Sequence, residues 1–122
     1  MSDQQIRLAE VAHGRSGDKG NHANVAILAY TPEGFRWLRE QLTNSVVAAF
    51  FNGLGVTRVV RFEAEKLQAF NFVLENALGG GASRSLHTDT QGKSFALTLL
   101  QLELPRPSNW AQMIRKQKES NS

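Results

Sequence analysis

Residues 13–24 concentrate side chains that can do acid–base chemistry and hold an anion. They read His-Gly-Arg-Ser-Gly-Asp-Lys-Gly-Asn-His-Ala-Asn. Histidine changes its charge near neutral pH and can act as a general acid or base. Arginine offers a planar fork to a carboxylate or phosphate, lysine adds a mobile charge, and glycines let backbone N–H groups turn towards a bound group. The composition predicts a polar loop that binds an anion or a carbonyl group.

Each polar side chain of this loop has a predicted role. Either His13 or His22 would transfer a proton, and Asp18 would orient one imidazole or act as the base itself. The predicted substrate-binding residues of the loop are Arg15, Ser16, Lys19, Asn21 and Asn24. The alternative is a structural loop whose Asn and Asp side chains satisfy its own backbone, but such a loop has no use for two histidines and two cations.

Metal and nucleotide sites are disfavoured for the same loop. His13, Asp18 and His22 could supply two imidazoles and a carboxylate, but their spacing matches no established ligand motif and the flanking cations oppose a bound cation. The glycines read G-x-x-G-x-x-G, which is neither the dinucleotide-binding pattern nor the P-loop pattern. No metal site is therefore predicted, and the sequence does not specify a cofactor.

A second glycine-rich segment follows at residues 79–93. It reads Gly-Gly-Gly-Ala-Ser-Arg-Ser-Leu-His-Thr-Asp-Thr-Gln-Gly-Lys. A glycine triplet allows a ligand to approach the backbone closely, and Lys93 near a helix N-terminus would add positive charge to an anion site. Gly80, Gly81 and Lys93 are therefore predicted to contact substrate. A helix C-cap, a tight turn and an N-cap at Asp89 explain the segment equally well without a ligand.

Hydrophobic patterns predict the strands that position these segments. Apolar residues that alternate or run continuously predict strands at residues 6–12, 25–30, 56–62 and 83–88. The second run is continuous, which is typical of a strand buried on both faces. Arg58 and Arg61, in the third strand, are predicted to be solvated.

Helices are predicted between these strands. The first begins at the cap Thr31 and buries Phe35, Leu38 and Leu42. The others are predicted at residues 46–51, 67–78 and 92–102. In the last of these, Phe95, Leu97 and Leu99 also fit the alternation of a strand, and the helix is the favoured interpretation. Asn71 would lie beside the apolar stripe of the third helix, where its amide could hold a loop in place.

The chain has the size of one domain, and its charge is concentrated at one end. It has 122 residues and no cysteine, which excludes disulfides, thiolate metal sites and a cysteine nucleophile. Residues 1–104 are predicted to form the domain and residues 105–122 a basic, mobile tail. The tail carries four cations against one anion and accounts for the whole formal net charge of +3. Because nucleic-acid binding needs basic residues spread over a docking face, no nucleic-acid partner is predicted.

The sequence predicts a cytoplasmic protein without a membrane partner. The first residues are polar, with no apolar signal core, and no apolar run reaches transmembrane length. Whether the chain forms a homo-oligomer is left open.

The two polar segments carry a family resemblance. Residues 13–24, with Asn-Phe-Val-Leu at 71–74, Ala-Leu-Gly-Gly-Gly at 77–81 and Asp-x-Gln-Gly-Lys at 89–93, resemble the C-terminal domain of acyclic terpene utilisation (AtuA-like) proteins. The similarity runs from residue 11 to residue 104. It implies an α+β fold, a two-layer ferredoxin-like sandwich with a mainly antiparallel sheet packed by helices.

The resemblance also implies a function. In longer family members this domain follows a much larger N-terminal domain, so the chain resembles a detached small subunit whose partner is a larger AtuA-like chain. A part in the catabolism of acyclic terpenes or related branched acids is implied, with a small anionic substrate or a CoA thioester. One expectation is an enzyme component in which Arg15 and Lys19 hold the anionic end of the substrate. The other is a non-catalytic anion-binding or assembly module, so whether the chain is an enzyme stays open.

Overall fold

The computed structural model describes residues 4–19, 22–52, 56–76 and 93–114. The side chains of Asp18, Lys19, Lys93 and Ser94 lie outside that description. In chain order, the described elements are β1 (Gln5–Arg7), α1 (Leu8–Val11), β2 (Ala12–Lys19), β3 (His22–Ala29), α2 (Pro32–Gln41), α3 (Asn44–Phe50), β4 (Arg58–Ala64), a 3-10 turn (Glu65–Leu67), β5 (Ala69–Glu75), α4 (Lys93–Leu99), β6 (Glu103–Pro105) and a second 3-10 turn (Trp110–Gln112).

Four long strands form one antiparallel sheet, and helices cover one of its faces. The strand order is β2-β3-β5-β4, while β1 pairs with β6 in a separate two-stranded sheet. Helices α2, α3 and α4 pack on the inner face, where aromatic and aliphatic side chains form a single core. Its largest contributors from the sheet are Ile27, Phe70, Phe72 and Leu74, and those from the helical layer are Phe35, Leu38, Phe51 and Phe95. The fold is the predicted two-layer α+β sandwich.

The opposite face of this sheet, which we call the open face, is covered by no helix of the described ranges. The strand register assigns alternate residues to it, and all but one are exposed or half-buried: His13, Arg15, Gly17, His22, Asn24, Ala26, Leu28, Asn71, Val73, Glu75, Arg58, Val60, Phe62 and Ala64. The exception is Ala69, which is buried. Strand β3 is therefore buried on one face, and the prediction of burial on both faces is wrong. A continuous apolar run does not require a second covering layer.

The first two helix predictions are confirmed because they depend on local signals. Thr31 Oγ1 accepts the N–H of Gly34 at 3.0 Å and caps α2, while Phe35, Leu38 and Leu42 are buried. Thr43 Oγ1 caps α3 in the same way, accepting the N–H of Val46 at 3.2 Å. Such caps and stripes are set by residues a few positions apart.

The predicted helix at residues 67–78 is wrong, because β5 lies there. Phe70, Phe72 and Leu74 alternate into the core, and the two residues that bound the strand have left-handed backbones, Gln68 with φ 53° and Asn76 with φ 64°. Apolar residues at positions 67, 70, 74 and 78 fit a helical period. Pairing with β3 on one side and β4 on the other selects the strand.

The predicted strand at residues 6–12 is interrupted by one helical turn, α1. The Arg7 N–H donates to the Glu10 carboxylate at 3.0 Å, and Leu8 and Val11, three positions apart, are both buried. The Leu8 N–H donates to the Leu102 carbonyl at 2.8 Å. The burial of Leu8 and Val11 and the hydrogen bond to Leu102 favour a helical turn here. The alternation of apolar and polar residues in this segment predicts a strand instead.

The side chain of Arg61, on β4, extends into the helical layer and contacts the end of α2. The prediction that Arg61 is solvated is therefore wrong. Its side chain is 18% exposed, and its guanidinium donates to the carbonyls of Arg39 and Leu42, both at 2.9 Å. These carbonyls lie in the last turn of α2 and at its C-cap, where a cation is favoured. Arg58 is exposed as predicted and pairs with Glu75 at 3.4 Å.

After β6 the chain returns to the core. Met113 is buried, and the Arg106 guanidinium lies 4.8 Å from the centre of the Trp110 ring. Residues 115–122 lie outside the description, so the mobility of the tail stays a prediction, as does the strand at 83–88. No helix among the described residues is long and apolar enough to cross a lipid bilayer.

Candidate functional site

Residues 13–24 form the two arms of a β-hairpin and not a cupped loop. The pairing of β2 with β3 runs from Ala12 opposite Ala29 to Lys19 opposite His22, and residues 20–21, outside the description, connect the arms. The predicted loop conformation is therefore wrong. The polar composition of the segment favours a loop. Alternate residues of β3 are nevertheless buried in the core, and β2 forms a regular antiparallel pairing with β3.

Gly14 serves close packing inside β2. A Cβ atom at this position would lie 3.2 Å from the Ala26 carbonyl oxygen and 3.2 Å from Ile27 Cδ1, with Ala96 Cβ at 3.6 Å. Contacts of 3.2 Å are tighter than nine in ten real Cβ contacts, whereas 3.6 Å is an ordinary van der Waals distance. The glycine therefore relieves crowding against β3, and a side chain here would have to displace Ile27.

Ser16 lies on the inner face and connects β2 to α4. Its Oγ accepts the N–H of Ala96 in the first turn of α4 at 3.1 Å. This is the kind of bond that a capping side chain makes, here supplied from a distant strand. The hydroxyl thus has a structural partner, and its contact with substrate stays a prediction.

Ser16→Ala is expected to lower the free energy of unfolding by about 1 kcal/mol, as the loss of a helix-capping hydroxyl does. Ser45→Ala, at an exposed position in the first turn of α3, is the control and should change it by less than about 0.5 kcal/mol. Urea denaturation of both variants measures the difference. Equal losses would contradict the anchoring role of Ser16.

His22 is tied to the end of β5. Its Nδ1 accepts the N–H of Asn76 at 2.9 Å, so the proton of the neutral ring is on Nε2. The imidazole thus fixes the chain just before residues 77–92, as Ser16 fixes it just after them. A proton-transfer role for His22 would have to use Nε2.

His13 lies far from His22 on the same sheet. It is exposed and stacks on Tyr30, with ring centres 5.3 Å apart and planes inclined by 22°. The register places His13 beside Leu28, six residues along β3 from His22, which is about 20 Å at the rise of a β-strand. The structure does not bring the two predicted proton-transfer residues together.

Arg15, Asn24 and Asn71 form a polar group that we call the open-face cluster. Arg15 and Asn71 are the register partners of Ala26 on its two sides, and Asn24 lies two residues before Ala26 on β3. Direct cross-strand neighbours have Cβ atoms about 5 Å apart and diagonal neighbours about 7 Å. Because Ala26 has a small side chain, the three polar groups surround a shallow, open position.

The open-face cluster can hold a carboxylate or a phosphate. Arg15 is exposed, and it takes part in none of the ion pairs among the described residues. A guanidinium donates two parallel hydrogen bonds to such an anion, and the carboxamides of Asn24 and Asn71 can add one each. The sequence reasoning did not assign Asn71 to the site because it placed this residue on a helix. The alternation of Phe70, Phe72 and Leu74 is the signal that could have found it.

The remaining predicted site residues are described in part or not at all. Asn21, Gly80 and Gly81 lie outside the described residues, and Asp18, Lys19 and Lys93 are described by their backbones alone. Among the described residues, no three His, Cys, Asp or Glu side chains come together in a way that could hold a metal ion.

Comparison with known families gives one match. The family model of the AtuA ferredoxin-like domain matches residues 6–105, from β1 to β6. Neither curated proteins nor solved structures gave a match. The family match confirms the resemblance carried by the two polar segments.

Proposed function

We propose that this chain, which belongs to the AtuA ferredoxin-like domain family, is a small subunit that works with a larger AtuA-like chain in the catabolism of acyclic terpenes or related branched acids. Its contribution is to bind the anionic end of a carboxylate or acyl-CoA substrate at the open-face cluster. The larger chain supplies the groups that carry out the reaction.

The observation that carries this proposal is the exposed guanidinium of Arg15 beside Asn24 and Asn71, which forms no ion pair with any described side chain. Arg58, on the same sheet face, pairs with Glu75 at 3.4 Å, and Arg39 and Arg61 both pair with Glu63. An exposed arginine flanked by amides, without an acidic partner in the described part of the chain, is suited to an anion from outside the chain.

The positions of the histidines favour binding over catalysis by this chain alone. His22 uses Nδ1 to fix Asn76, and His13 stacks on Tyr30 at the other end of the hairpin. A general acid and a general base must both reach the reacting atoms within hydrogen-bond distance. Two imidazoles about 20 Å apart along a strand cannot serve one reacting centre.

The flatness of the open face supports a function in a complex. Sites for small molecules enclose most of the ligand surface, whereas the open-face cluster lies on a sheet face that no described helix covers. A ligand bound there needs a second protein surface above it to exclude water. The proposal is therefore one of a subunit and not of an independent enzyme.

Co-expression with the larger AtuA-like chain of the same genome tests the proposal. We expect a tagged form of this chain to recover the larger chain in a stable complex. We also expect the complex to bind a short branched carboxylate more tightly than either chain alone, as isothermal titration would show. A larger chain that never co-purifies, or that binds the acid equally well without this subunit, would overturn the proposal. A complex that forms but binds no acid would leave assembly as its function.

A further inference from the structure

The open face presents apolar surface that the described residues leave uncovered. Phe62 is 54% exposed. Val60, on the same strand, and its register partner Val73 are half-buried, as is Leu28 two strands away. One side of a sheet is normally buried against another element, and contiguous exposed apolar surface marks an interaction site. The order of the residues across this face indicates which partner could cover it.

The register arranges the open face in rows that run across the four strands. In the order β2, β3, β5, β4 the three complete rows are His13-Leu28-Ala69-Ala64, Arg15-Ala26-Asn71-Phe62 and Gly17-Asn24-Val73-Val60. In the second row the cation is on one outer strand and the aromatic ring is on the other. The two ends of that row are therefore chemically complementary.

We propose that the open faces of two copies of this chain pack against each other around a twofold axis parallel to the strands, midway between β3 and β5. Under this symmetry each row of one copy faces the same row of the second copy in reverse order. Strand β2 then faces β4 of the second copy, and β3 faces β5. The proposal concerns the purified chain by itself and does not depend on the larger AtuA-like partner.

Side-chain sizes support this arrangement. In three facing pairs, an accessible glycine or alanine meets a larger side chain: Gly17 with Val60, Ala26 with Asn71 and Ala64 with His13. Stacked sheets lie about 10 Å apart and interdigitate their side chains. Alternation of small and large residues across the axis is what such interdigitation needs.

The Arg15–Phe62 pair favours this axis over the other twofold axis in the plane of the sheet. The proposed axis places the Arg15 guanidinium over Phe62 of the second copy, which is a favourable cation–π contact. An axis perpendicular to the strands that passes through the second row would place β2 over β2, so that Arg15 would face Arg15 of the second copy. Like charges brought together at an interface are unfavourable.

The dimer would cover the open-face cluster, because Asn71 would face Ala26 and Asn24 would face Val73 of the second copy. Dimerisation and binding of an anion at this cluster therefore exclude each other.

The dimensions predict a weak dimer. Four strands of seven to eight residues span roughly 19 by 26 Å, or roughly 500 Å² in projection, compared with about 800 Å² of accessible surface per partner in a standard stable interface. Protruding side chains raise the accessible area above the projection. We expect a dimer that dissociates on dilution.

Sedimentation equilibrium of the purified chain tests the dimer over a wide range of concentration. We expect the wild type to shift from monomer to dimer as the concentration rises. Phe62→Lys should remain folded and monomeric throughout, because its ammonium group would lie opposite the Arg15 guanidinium of the second copy. Leu97→Lys is the matched control, since Leu97 is 65% exposed on α4 in the helical layer, and it should dimerise like the wild type. A wild type that stays monomeric, or a Phe62→Lys variant that dimerises normally, would overturn the proposal.

Cysteine crosslinking tests the axis, and the chain has no native cysteine to interfere. A Cβ at Gly17 meets nothing closer than Asn24 Oδ1 at 3.7 Å, so Gly17→Cys should be tolerated. A mixture of Gly17→Cys and Val60→Cys chains should form the mixed product with a short bifunctional maleimide. Gly17→Cys alone should not. Efficient crosslinking of Gly17→Cys to itself would contradict the proposed axis, which places the two Gly17 residues on opposite outer edges of the interface.

Discussion

Arg15→Gln is expected to weaken the binding of a short branched carboxylate, such as 3-methylbutanoate, by about 10- to 100-fold. A hydrogen bond to a charged group contributes about 1.5–3 kcal/mol, and each 1.4 kcal/mol changes a dissociation constant about tenfold. Glutamine preserves the length and polarity of the side chain but removes the charge and the bidentate geometry. Isothermal titration of the complex with the larger AtuA-like chain measures the change.

The matched control is Arg58→Gln, which removes the same charge from the same sheet face. The Arg58 side chain is 66% exposed and already pairs with Glu75, so it is not available to a ligand. We expect its removal to change the dissociation constant by less than about twofold, the scale of an exposed ion pair. If both variants lost affinity equally, long-range charge alone would explain the binding. If Arg15→Gln kept full affinity, the open-face cluster would not be the anion site.

The fold could be predicted from the sequence where the signals are local. The cap at Thr31 and the buried stripe of α2 depend on residues three or four positions apart, and both predictions are confirmed. The cap at Thr43, which begins α3 two residues before its predicted start, is a local signal of the same kind. The segment that became β5 has apolar residues that fit two periods. Its conformation is decided by β3 and β4, which are distant in the chain, and no local pattern contains that information.

The site could be predicted by residue type but not by geometry. The motif at residues 13–24 was expected to be functional as one loop. In a strand, successive side chains point to opposite faces, so the hairpin sends Ser16 to the helical layer and Arg15 to the open face. The same alternation places Asn71 of β5 on the open face, where it and Arg15 lie on either side of Ala26.

Phe70→Ala is expected to lower the free energy of unfolding by about 4 kcal/mol, within the range of about 3–5 kcal/mol for truncated core phenylalanines. Phe70 is fully buried. Its ring stacks on Phe35 at 4.8 Å and lies beneath the Arg61 guanidinium at 5.1 Å. Alanine would remove both contacts and leave a cavity between the sheet and α2. Thermal and urea denaturation measure the loss.

Leu67→Ala is the control for this truncation, because Leu67 is 68% exposed just before the same strand. It should cost less than about 0.5 kcal/mol, as surface substitutions do. A loss below about 2 kcal/mol for Phe70→Ala would show that α2 closes onto the sheet and fills the cavity.

The effect of Phe70→Ala extends to the open face because Phe70 and Asn71 are neighbours on one strand. Burial of Phe70 fixes the register of β5 against β3, and that register places Asn71 beside Ala26. A one-residue slip would exchange the two faces and remove Asn71 from the open-face cluster. A total stability of about 5–15 kcal/mol is typical of a domain, so a loss of about 4 kcal/mol leaves the native register with little margin. The inner core is therefore what holds the anion-binding groups in position on the opposite face.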